Sequence, residues 1–279
     1  MCSAMRKNRR SLGGWAGWLG LAVGFLLPLH GQGAEPADGG FVPLFNGTNL
    51  DGWYTFLQKH GKNSDPDKII TIENGVIHLY KNTPDRSQVV QGYIATQQEY
   101  ENYHLRVEYK WGQKKFAPRD KLLRDAGIYY HMVGPDNVWP RALQFQVEQT
   151  NVGDIVTVGN VRYQTTVDPK TKDREKPVYL SAAAGGVPVV HGLKYISHLG
   201  RAGMHERDGW NTIEMIVRGD SAEHRLNGQT VGTLTSAQRP DPTDKEKFLP
   251  LNKGRILLEI EAAEIFFRNV ELKPLTATP

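Results

Sequence analysis

The first informative pattern in the sequence is Asp125-Ala-Gly-Ile-Tyr-Tyr-His-Met132, followed by Gly-Pro-Asp-Asn at 134–137 and by Leu143-Gln-Phe-Gln-Val-Glu148. Apolar and polar residues alternate in the last segment, and successive side chains of a β-strand point to opposite faces of a sheet. The first segment alternates in the same way. We therefore predict two strands joined by a turn, each with one apolar and one polar face.

The polar faces of these two predicted strands carry the first candidate functional residues. The second strand places three polar side chains on one face: Gln144, Gln146 and Glu148. The first strand places His131 opposite Tyr130 and Met132. If both polar faces point the same way, His131 converges with the three residues of the second strand. We expect the functional surface at that position.

Other strands are predicted from the same alternation. The clearest covers residues 104–111, and a later pair covers 256–261 and 265–272. Their polar faces add charged candidates: Glu108, Lys110, Glu259 and Glu261.

Turn signals separate the predicted strands. Asn74-Gly75 and Asn227-Gly228 favour tight two-residue hairpins, and residues 149–208 are rich in loop-forming residues. No stretch shows a sustained helical period. Many short strands with turns between them predict an all-β sandwich of the jelly-roll class. A concave sheet in such a sandwich presents polar side chains as a groove.

The first residues have the composition of a secretory signal peptide. A basic segment precedes an apolar run from Leu12 to Leu29 and the small-x-small signal Gly31-Gln-Gly33. We predict a signal peptide over 1–33, a linker over 34–40 and a single domain over 41–275, in a secreted or periplasmic protein. An uncleaved anchor is the alternative, because the apolar run is nearly long enough to span a bilayer. After cleavage we expect no stable membrane insertion.

Charge and cysteine content exclude several classes of function. The sequence has 34 basic and 30 acidic residues, and four of the basic ones precede Glu35, so cleavage leaves 30 of each sign. A neutral mature chain gives no reason to expect a nucleic-acid partner. The lone cysteine, Cys2, is also removed, which excludes disulfides and thiol chemistry. Phosphate-loop and dinucleotide signatures are absent, so we expect no nucleotide cofactor.

Two further regions carry polar residues without a regular period. Residues 112–124 are rich in Lys and Arg, and we interpret them as a loop beside the central strands. His191, His198 and His205 recur at intervals of seven, but without the HxH or HExxH spacing of a metal site. We interpret them as histidines at a solvent-exposed rim.

Six motifs follow one another in an order typical of one family: Phe41-Val-Pro-Leu-Phe-Asn-Gly-Thr-Asn-Leu-Asp-Gly-Trp53, Asp125-Ala-Gly-Ile128, Gln144-Phe-Gln146, Gly209-Trp-Asn211, Asn227-Gly228 and Glu264-Ile-Phe-Phe-Arg-Asn-Val270. Together they resemble the 3-keto-disaccharide hydrolase family, whose members are also described as 3-keto-glucoside 1,2-lyases and 3-keto-2-hydroxyglucal hydratases. The resemblance spans residues 41–275. It implies a concanavalin A-like lectin/glucanase jelly roll, secreted or periplasmic, whose substrate is a carbohydrate with an oxidised 3-hydroxyl.

The chain departs from the common pattern of this family at three places. Asp125-Ala-Gly127 stands where Asn-Ser-Gly is frequent, and Gln144 stands where Glu is frequent. Glu259 and Glu261 stand where the last hairpin often carries Gln and His. The chain is closer to a branch with Glu in that hairpin and His at the position of His131.

The resemblance implies elimination chemistry. A ketone at C3 acidifies the hydrogen at C2, so a base can remove it, the C1 aglycone leaves by β-elimination, and water adds back. His131 or Glu148 is the candidate base. Lys110 or a divalent metal ion is the candidate stabiliser of the enolate. Glu261 or Glu259 is the candidate acid or metal ligand. Further residues are expected to bind the substrate: Glu108, Asp125, Gln144, Gln146, Trp139 and Glu259.

Two other functions fit the same pattern. A lectin-like module would bind carbohydrate without performing chemistry on it. A conventional glycoside hydrolase would use Glu148 and Glu261 as its carboxylate pair, at a separation of about 5–9.5 Å.

Overall fold

Alternating apolar residues and tight turns build β-strands along most of the chain. The computed structural model describes residues 40–244 and 246–276. The predicted signal peptide and residues 34–39 of the predicted linker lie outside these ranges. Within them, no helix is long and apolar enough to cross a membrane.

The described residues form nineteen strands and one 3₁₀ turn, Ala182–Ala184. The strands are Val42–Pro43 (β1), Trp53–Leu57 (β2), Gly61–Lys62 (β3), Ile70–Glu73 (β4), Val76–Leu79 (β5), Gly92–Thr96 (β6), Asn102–Lys115 (β7), Gly127–Val133 (β8), Arg141–Gln146 (β9), Ile155–Val158 (β10), Arg162–Val167 (β11), Val187–His191 (β12), Ile196–Leu199 (β13), Asn211–Arg218 (β14), Ser221–Leu226 (β15), Gln229–Pro240 (β16), Phe248–Pro250 (β17), Arg255–Ile260 (β18) and Ala263–Pro274 (β19).

The strands form two antiparallel sheets. One has eleven strands, in the order β12-β11-β16-β15-β14-β7-β19-β5-β4, with β1 paired to β19 and β17 to β16. The other has eight strands, in the order β13-β10-β9-β8-β18-β6-β2-β3. The predicted all-β jelly-roll sandwich is confirmed.

The main core lies between the two sheets. Strand β7 shows how the sequence builds it, because Tyr103, Leu105, Val107 and Tyr109 are fully buried while the residues between them are half-buried on the other face. Burial of one large apolar side chain contributes about 1.5–3 kcal/mol, so this layer is the main source of stability. We call the face of each sheet that points away from this core its outer face. A smaller apolar cluster covers part of the outer face of the eight-stranded sheet.

Both predicted hairpin turns are confirmed. Asn74 and Gly75 have φ values of 51° and 78° between β4 and β5, and Asn227 and Gly228 have 51° and 80° between β15 and β16. Two consecutive positive φ angles match the right-handed twist of the flanking strands, which explains why these pairs occur there.

Two parts of the chain differ from the sequence-based expectation. Residues 149–208, predicted to be rich in loops, carry four short strands, β10 to β13, separated by segments that contain Gly and Pro. Pro188 is tolerated in β12 because this strand lies at the edge of its sheet. Strands β18 and β19 do not pair as a hairpin. The chain leaves the eight-stranded sheet after Ile260 and enters the eleven-stranded sheet at Ala263.

Candidate functional site

The candidate site lies on the outer face of the eight-stranded sheet, where strand register decides which side chains meet. Directly opposite residues of an antiparallel pair share a face. Tyr129 lies opposite Gln144. Gln144 also lies opposite Val156 on its other side, and Val156 lies opposite His198. One row of side chains therefore crosses β8, β9, β10 and β13.

A cavity of about 310 Å³ opens along this row, and we call it the carboxyl cavity. Seven of the predicted site residues line it: Asp125, Trp139, Gln144, Gln146, Glu148, Glu259 and Glu261. The remaining lining residues are Arg119, Tyr129, Val156, Val158, Ile196 and His198.

Glu259 is buried and held by two neutral donors. The Tyr129 hydroxyl donates to its Oε1 at 2.9 Å, and Nε2 of Gln144 donates to its Oε2 at 2.8 Å. Gln146 makes the matching contact one step along β9, where its Nε2 donates to Asp125 Oδ1 at 2.8 Å. In the described part of the chain nothing donates to Oε1 of either glutamine, so both are available to accept a hydrogen bond from a ligand hydroxyl.

Arg119 joins two of the carboxyl groups. Its Nη1 lies 3.2 Å from Glu261 Oε1, and its Nη2 donates to Asp125 Oδ2. Asp125 and Glu261 face each other as a bridge between the ends of their strands, which brings both within reach of one guanidinium. The site thus contains three buried acids and one fixed cation.

Burial raises the pKa of all three carboxyl groups. For Asp125, burial is followed by repulsion from Glu261, while the charge of Arg119 opposes both. For Glu259, burial is followed by the charges of Glu261 and Asp125. Burial raises the pKa of Glu261 as well, with Arg119 again opposing. Three such groups cannot all ionise together near neutral pH, so the cluster holds a proton that it can donate.

Gly127 provides the space for this arrangement. A Cβ atom at residue 127 would lie 2.0 Å from Nε2 of Gln144 and 2.8 Å from Oε2 of Glu259. The hydrogen bond between Gln144 and Glu259 therefore requires glycine on the neighbouring strand, opposite Gln146.

Trp139 and Glu148 are the more exposed of the predicted site residues in the cavity. The Trp139 side chain is 40% exposed and follows a turn that is fixed at Asp136, whose Oδ1 accepts hydrogen bonds from the hydroxyls of Tyr54 and Tyr93 at 2.7 and 2.8 Å. Burial opposes ionisation of Asp136, but these two hydrogen bonds hold its pKa below the usual value. Glu148 is half-buried.

The structure does not bring His131 to the carboxyl cavity, and its predicted convergence with Gln144 is wrong. The register of β8 and β9 shifts between Tyr130 and Val133, and His131 has a φ of 52°. This bulge breaks the alternation of side chains. The His131 ring is buried with Nε2 2.9 Å from the carbonyl oxygen of Gly219, and burial lowers its pKa to about 4.

Glu108 and Lys110 lie on the other sheet, and the expectation that they share a site with Gln144 is also wrong. Both belong to β7 and face outward from the eleven-stranded sheet. Glu108 accepts a hydrogen bond from Arg268 Nε at 2.6 Å. The alternation of β7 identifies their face correctly, but a strand's own pattern does not reveal the sheet to which it belongs.

Lys110 lines a larger cavity of about 860 Å³ beside that sheet. The buried acid of this cavity is Glu264, which accepts hydrogen bonds from His78 and from the backbone N–H groups of Gln113 and Lys114. These contacts outweigh burial and lower its pKa, so Glu264 is a fixed anion and not a proton donor. We therefore place the candidate site in the carboxyl cavity, despite its smaller volume.

Arg119, Tyr129 and His198 belong to the cavity but are absent from the predicted site residues. The basic segment 112–124, predicted as a loop although β7 extends to Lys115, contains Arg119, but charge without a period does not show which of its side chains turns inward. Tyr129 could have been found, because it shares a face with Gly127 in the predicted strand. His198 is half-buried and not a solvent-exposed rim residue, and burial lowers its pKa.

The residues of the carboxyl cavity do not fit a divalent cation. Across residues 40–244 and 246–276, no group of three or more His, Cys, Asp or Glu side chains is arranged to hold a metal ion. Two of the cavity's carboxyl groups, Asp125 and Glu261, are paired with the guanidinium of Arg119.

Comparison with known proteins gives a family match over most of the chain. A family model described as "3-keto-alpha-glucoside-1,2-lyase-like domain" matches residues 40–273. No curated protein matches the sequence. A solved structure of a proposed glycosyl hydrolase from Parabacteroides distasonis ATCC 8503 is 18% identical, with a TM-score of 0.51 over 85% of this chain and 94% of that one. A Bacillus licheniformis β-glucanase is 11% identical, with a TM-score of 0.46 over 85% and 97%. The Parabacteroides structure, at 18% identity, is evidence of the fold alone.

Proposed function

The chain belongs to the family of 3-keto-alpha-glucoside-1,2-lyase-like domains, and on that premise we propose that it cleaves glycosides whose C3 hydroxyl has been oxidised to a ketone. Family membership supports a carbohydrate-active function. The observation that carries the finer proposal is the meeting of one fixed cation, Arg119, with three carboxyl groups of raised pKa in a single cavity.

The proposed reaction has two stages. A base removes the proton at C2, the electron pair forms an enolate with C3, and collapse of the enolate breaks the bond between C1 and the aglycone oxygen. The aglycone takes a proton and leaves, which gives a C1–C2 double bond conjugated to the restored ketone. Water then adds its hydroxyl to C1, and C2 regains a proton. The balance is a net hydrolysis.

Glu148 is the base in this proposal. It lines the cavity, is half-buried, and makes no ion pair with Arg119. Its Oε2 accepts a hydrogen bond from Asn151 Nδ2, which orients the carboxylate. The proton that Glu148 removes from C2 exchanges with solvent, and Glu148 delivers a solvent-derived proton to C2 in the second stage, so it ends the cycle as it began.

Arg119 stabilises the enolate. Negative charge develops on the C3 oxygen during the first stage, and a preorganised cation in a partly buried cavity stabilises such charge strongly. Arg119 is held in place by Asp125 and Glu261, so little reorganisation is needed when the charge appears.

Glu261 supplies the proton to the departing aglycone oxygen. Burial raises its pKa, which favours the protonated form that a general acid needs, although Arg119 opposes this shift. After the aglycone leaves, the same carboxylate accepts the proton of the incoming water. Glu259 is more deeply buried and accepts a hydrogen bond on each carboxyl oxygen. In this proposal it helps to keep a proton within the cluster.

Aglycone release from matched substrates tests this function. The purified protein would be incubated with a 3-keto-glucoside and with its unoxidised parent, in D₂O, with and without a chelator. We expect release from the keto sugar alone, with deuterium at C2 of the sugar product. Glu148→Gln should lower kcat by about 10²–10⁴-fold. Glu108→Gln, the same change on the opposite sheet, is the matched control.

Other outcomes would favour the alternative functions. Release from the unoxidised parent without deuterium at C2 would indicate a conventional glycoside hydrolase. Binding of both sugars without release from either would indicate a lectin-like module and refute the proposed reaction.

A further inference from the structure

A second cavity, of about 430 Å³, adjoins the carboxyl cavity, and we call it the adjacent cavity. Ile196 and His198 line both. These residues lie on β13 directly opposite Val158 and Val156, which line the carboxyl cavity from β10. The outer face of the eight-stranded sheet thus leads from the row of Tyr129 and Gln144 straight into the adjacent cavity.

The adjacent cavity displays apolar side chains to solvent. Val190 is 54% exposed, Leu193 is 62% exposed and Ile196 is 41% exposed, and all three line it. Single exposed apolar residues are common on soluble proteins, but several around one cavity are typical of a binding site.

The backbone holds Leu193 in this exposed position. Leu193 has a φ of 52°, which is uncommon for a bulky residue, and it follows Gly192 with a φ of 113°. A Cβ atom at Gly192 would lie 2.2 Å from the carbonyl oxygen of Val161, so the turn requires glycine there. The turn that presents Leu193 is therefore fixed by its close packing against the start of β11.

Two lysines of the adjacent cavity are paired with carboxylates. Lys194 pairs with Glu175 at 3.2 Å, and Lys176 pairs with the buried Asp154. Ser197 uses its hydroxyl to donate to the carbonyl oxygen of Gly192. The rest of the lining combines one further basic side chain, Arg174, with the exposed apolar side chains of Val190, Leu193 and Ile196.

We propose that the adjacent cavity is the aglycone subsite and that it selects an apolar, ring-bearing aglycone such as an aryl alcohol. This inference rests on the proposed function, because it assigns the leaving group of that reaction. The 3-keto sugar would occupy the carboxyl cavity, and its C1 substituent would pass His198 and Ile196 to contact Val190 and Leu193.

Polar isosteres of the two apolar residues test the proposal. Leu193→Asn keeps a residue that tolerates positive φ, and Val190→Thr keeps the β-branched shape that suits a strand. KM would be measured for a 3-keto aryl glucoside and for methyl 3-keto-glucoside. We expect the double variant to raise the ratio of the aryl KM to the methyl KM by about 10-fold. Met204→Gln is the matched control, since Met204 is 74% exposed and lines neither cavity.

Two results would overturn the subsite. One is an unchanged KM ratio in the double variant, and the other is equal KM values for the aryl glucoside and a 3-keto-disaccharide. A separate measurement distinguishes its failure from failure of the proposed reaction. If no 3-keto sugar is cleaved, binding of the unoxidised aryl glucoside is followed by NMR. If the double variant then binds the aryl glucoside more weakly than the wild type does, the subsite is supported although the proposed reaction is refuted. If neither protein binds it, both proposals are refuted.

Discussion

The guanidinium of Arg119 lies between Asp125 and Glu261, with Nη1 3.2 Å from Glu261 Oε1 and Nη2 donating to Asp125 Oδ2. It offsets part of the cost of burying two carboxyl groups side by side. The same contact fixes the position of the charge that the proposed reaction needs at the C3 oxygen. One side chain therefore serves both the folded state and the chemistry.

Arg119→Met should abolish most of the activity. We expect kcat/KM for a 3-keto-glucoside to fall by about 10²–10³-fold, because the enolate loses its cation. Arg119→Lys should recover part of the loss, since it restores charge but not the two-pronged geometry. Lys110→Met removes a cation from the other sheet and is the matched control. Equal losses in the Arg119→Met and Lys110→Met variants would show that the cation at 119 has no special role.

Glu259→Gln should change how stability depends on pH. Burial raises the pKa of Glu259, so the folded protein keeps a proton that the unfolded chain releases above its own pKa of about 4.3. This contribution is fully present below the unfolded-state pKa and is lost as pH rises through the folded-state pKa. The glutamine variant lacks it. We expect the Tm of the variant, relative to the wild type, to increase as pH is raised from about 4.5 to 8. If the Tm of the variant and the Tm of the wild type changed with pH in parallel, a raised pKa of Glu259 would be contradicted.

His131→Asn should leave activity unchanged and reduce the loss of stability in acid. The folded-state pKa of about 4 lies below the unfolded value of about 6.5, so the unfolded chain binds an extra proton between these limits. The wild type should lose up to about 3 kcal/mol from this group as pH falls through that window. Asn tolerates the φ of 52° at this residue. Denaturant unfolding at pH 7 and pH 4.5 would measure the difference. Loss of turnover in a folded variant would restore His131 as a candidate base.

Gly127→Ala should impair the site more than the fold. The added Cβ would displace Gln144 and Glu259, which costs about 1–3 kcal/mol of stability and misplaces two polar groups. We expect kcat/KM to fall by about 10-fold or more. Gly200→Ala is the control. Its added Cβ would come no closer than 3.3 Å to an atom outside the adjoining residues, and the substitution has a similar effect on the entropy of the backbone. Unchanged kinetics in Gly127→Ala would show that the contact between Gln144 and Glu259 is dispensable.

Regular alternation made most of the fold predictable. Gln144 and Gln146 lie on the face that their period of 2 indicates, because β9 has no irregularity between them. The hairpin turns followed from the tolerance of Asn-Gly for positive φ. His131 was misplaced because a bulge reverses the alternation, and its sequence neighbours Tyr130 and Met132 give no sign of one.

The sequence did not show to which of the two sheets a strand belongs. Glu108 and Lys110 have the same alternating context as Gln144, yet they lie on a different sheet, since pairing is decided by contacts distant in sequence. Arg119 was not identified for a related reason. A basic loop has no period from which the inward residue can be deduced, and its direction follows from the two carboxyl groups that meet it.

The passage of the chain from β18 to β19 has a kinetic consequence. Glu259 lies on β18, which is hydrogen-bonded to a strand on each side. The strand ends at Ile260, and at Ala263 the chain enters β19, an interior strand of the opposite sheet. Fraying at the edge of one sheet cannot break the hydrogen bond of the Glu259 backbone amide, because the two sheets must separate first. Amide hydrogen exchange at Glu259 and Ile260 will therefore occur by global opening, so the acidic cluster persists as long as the folded molecule itself.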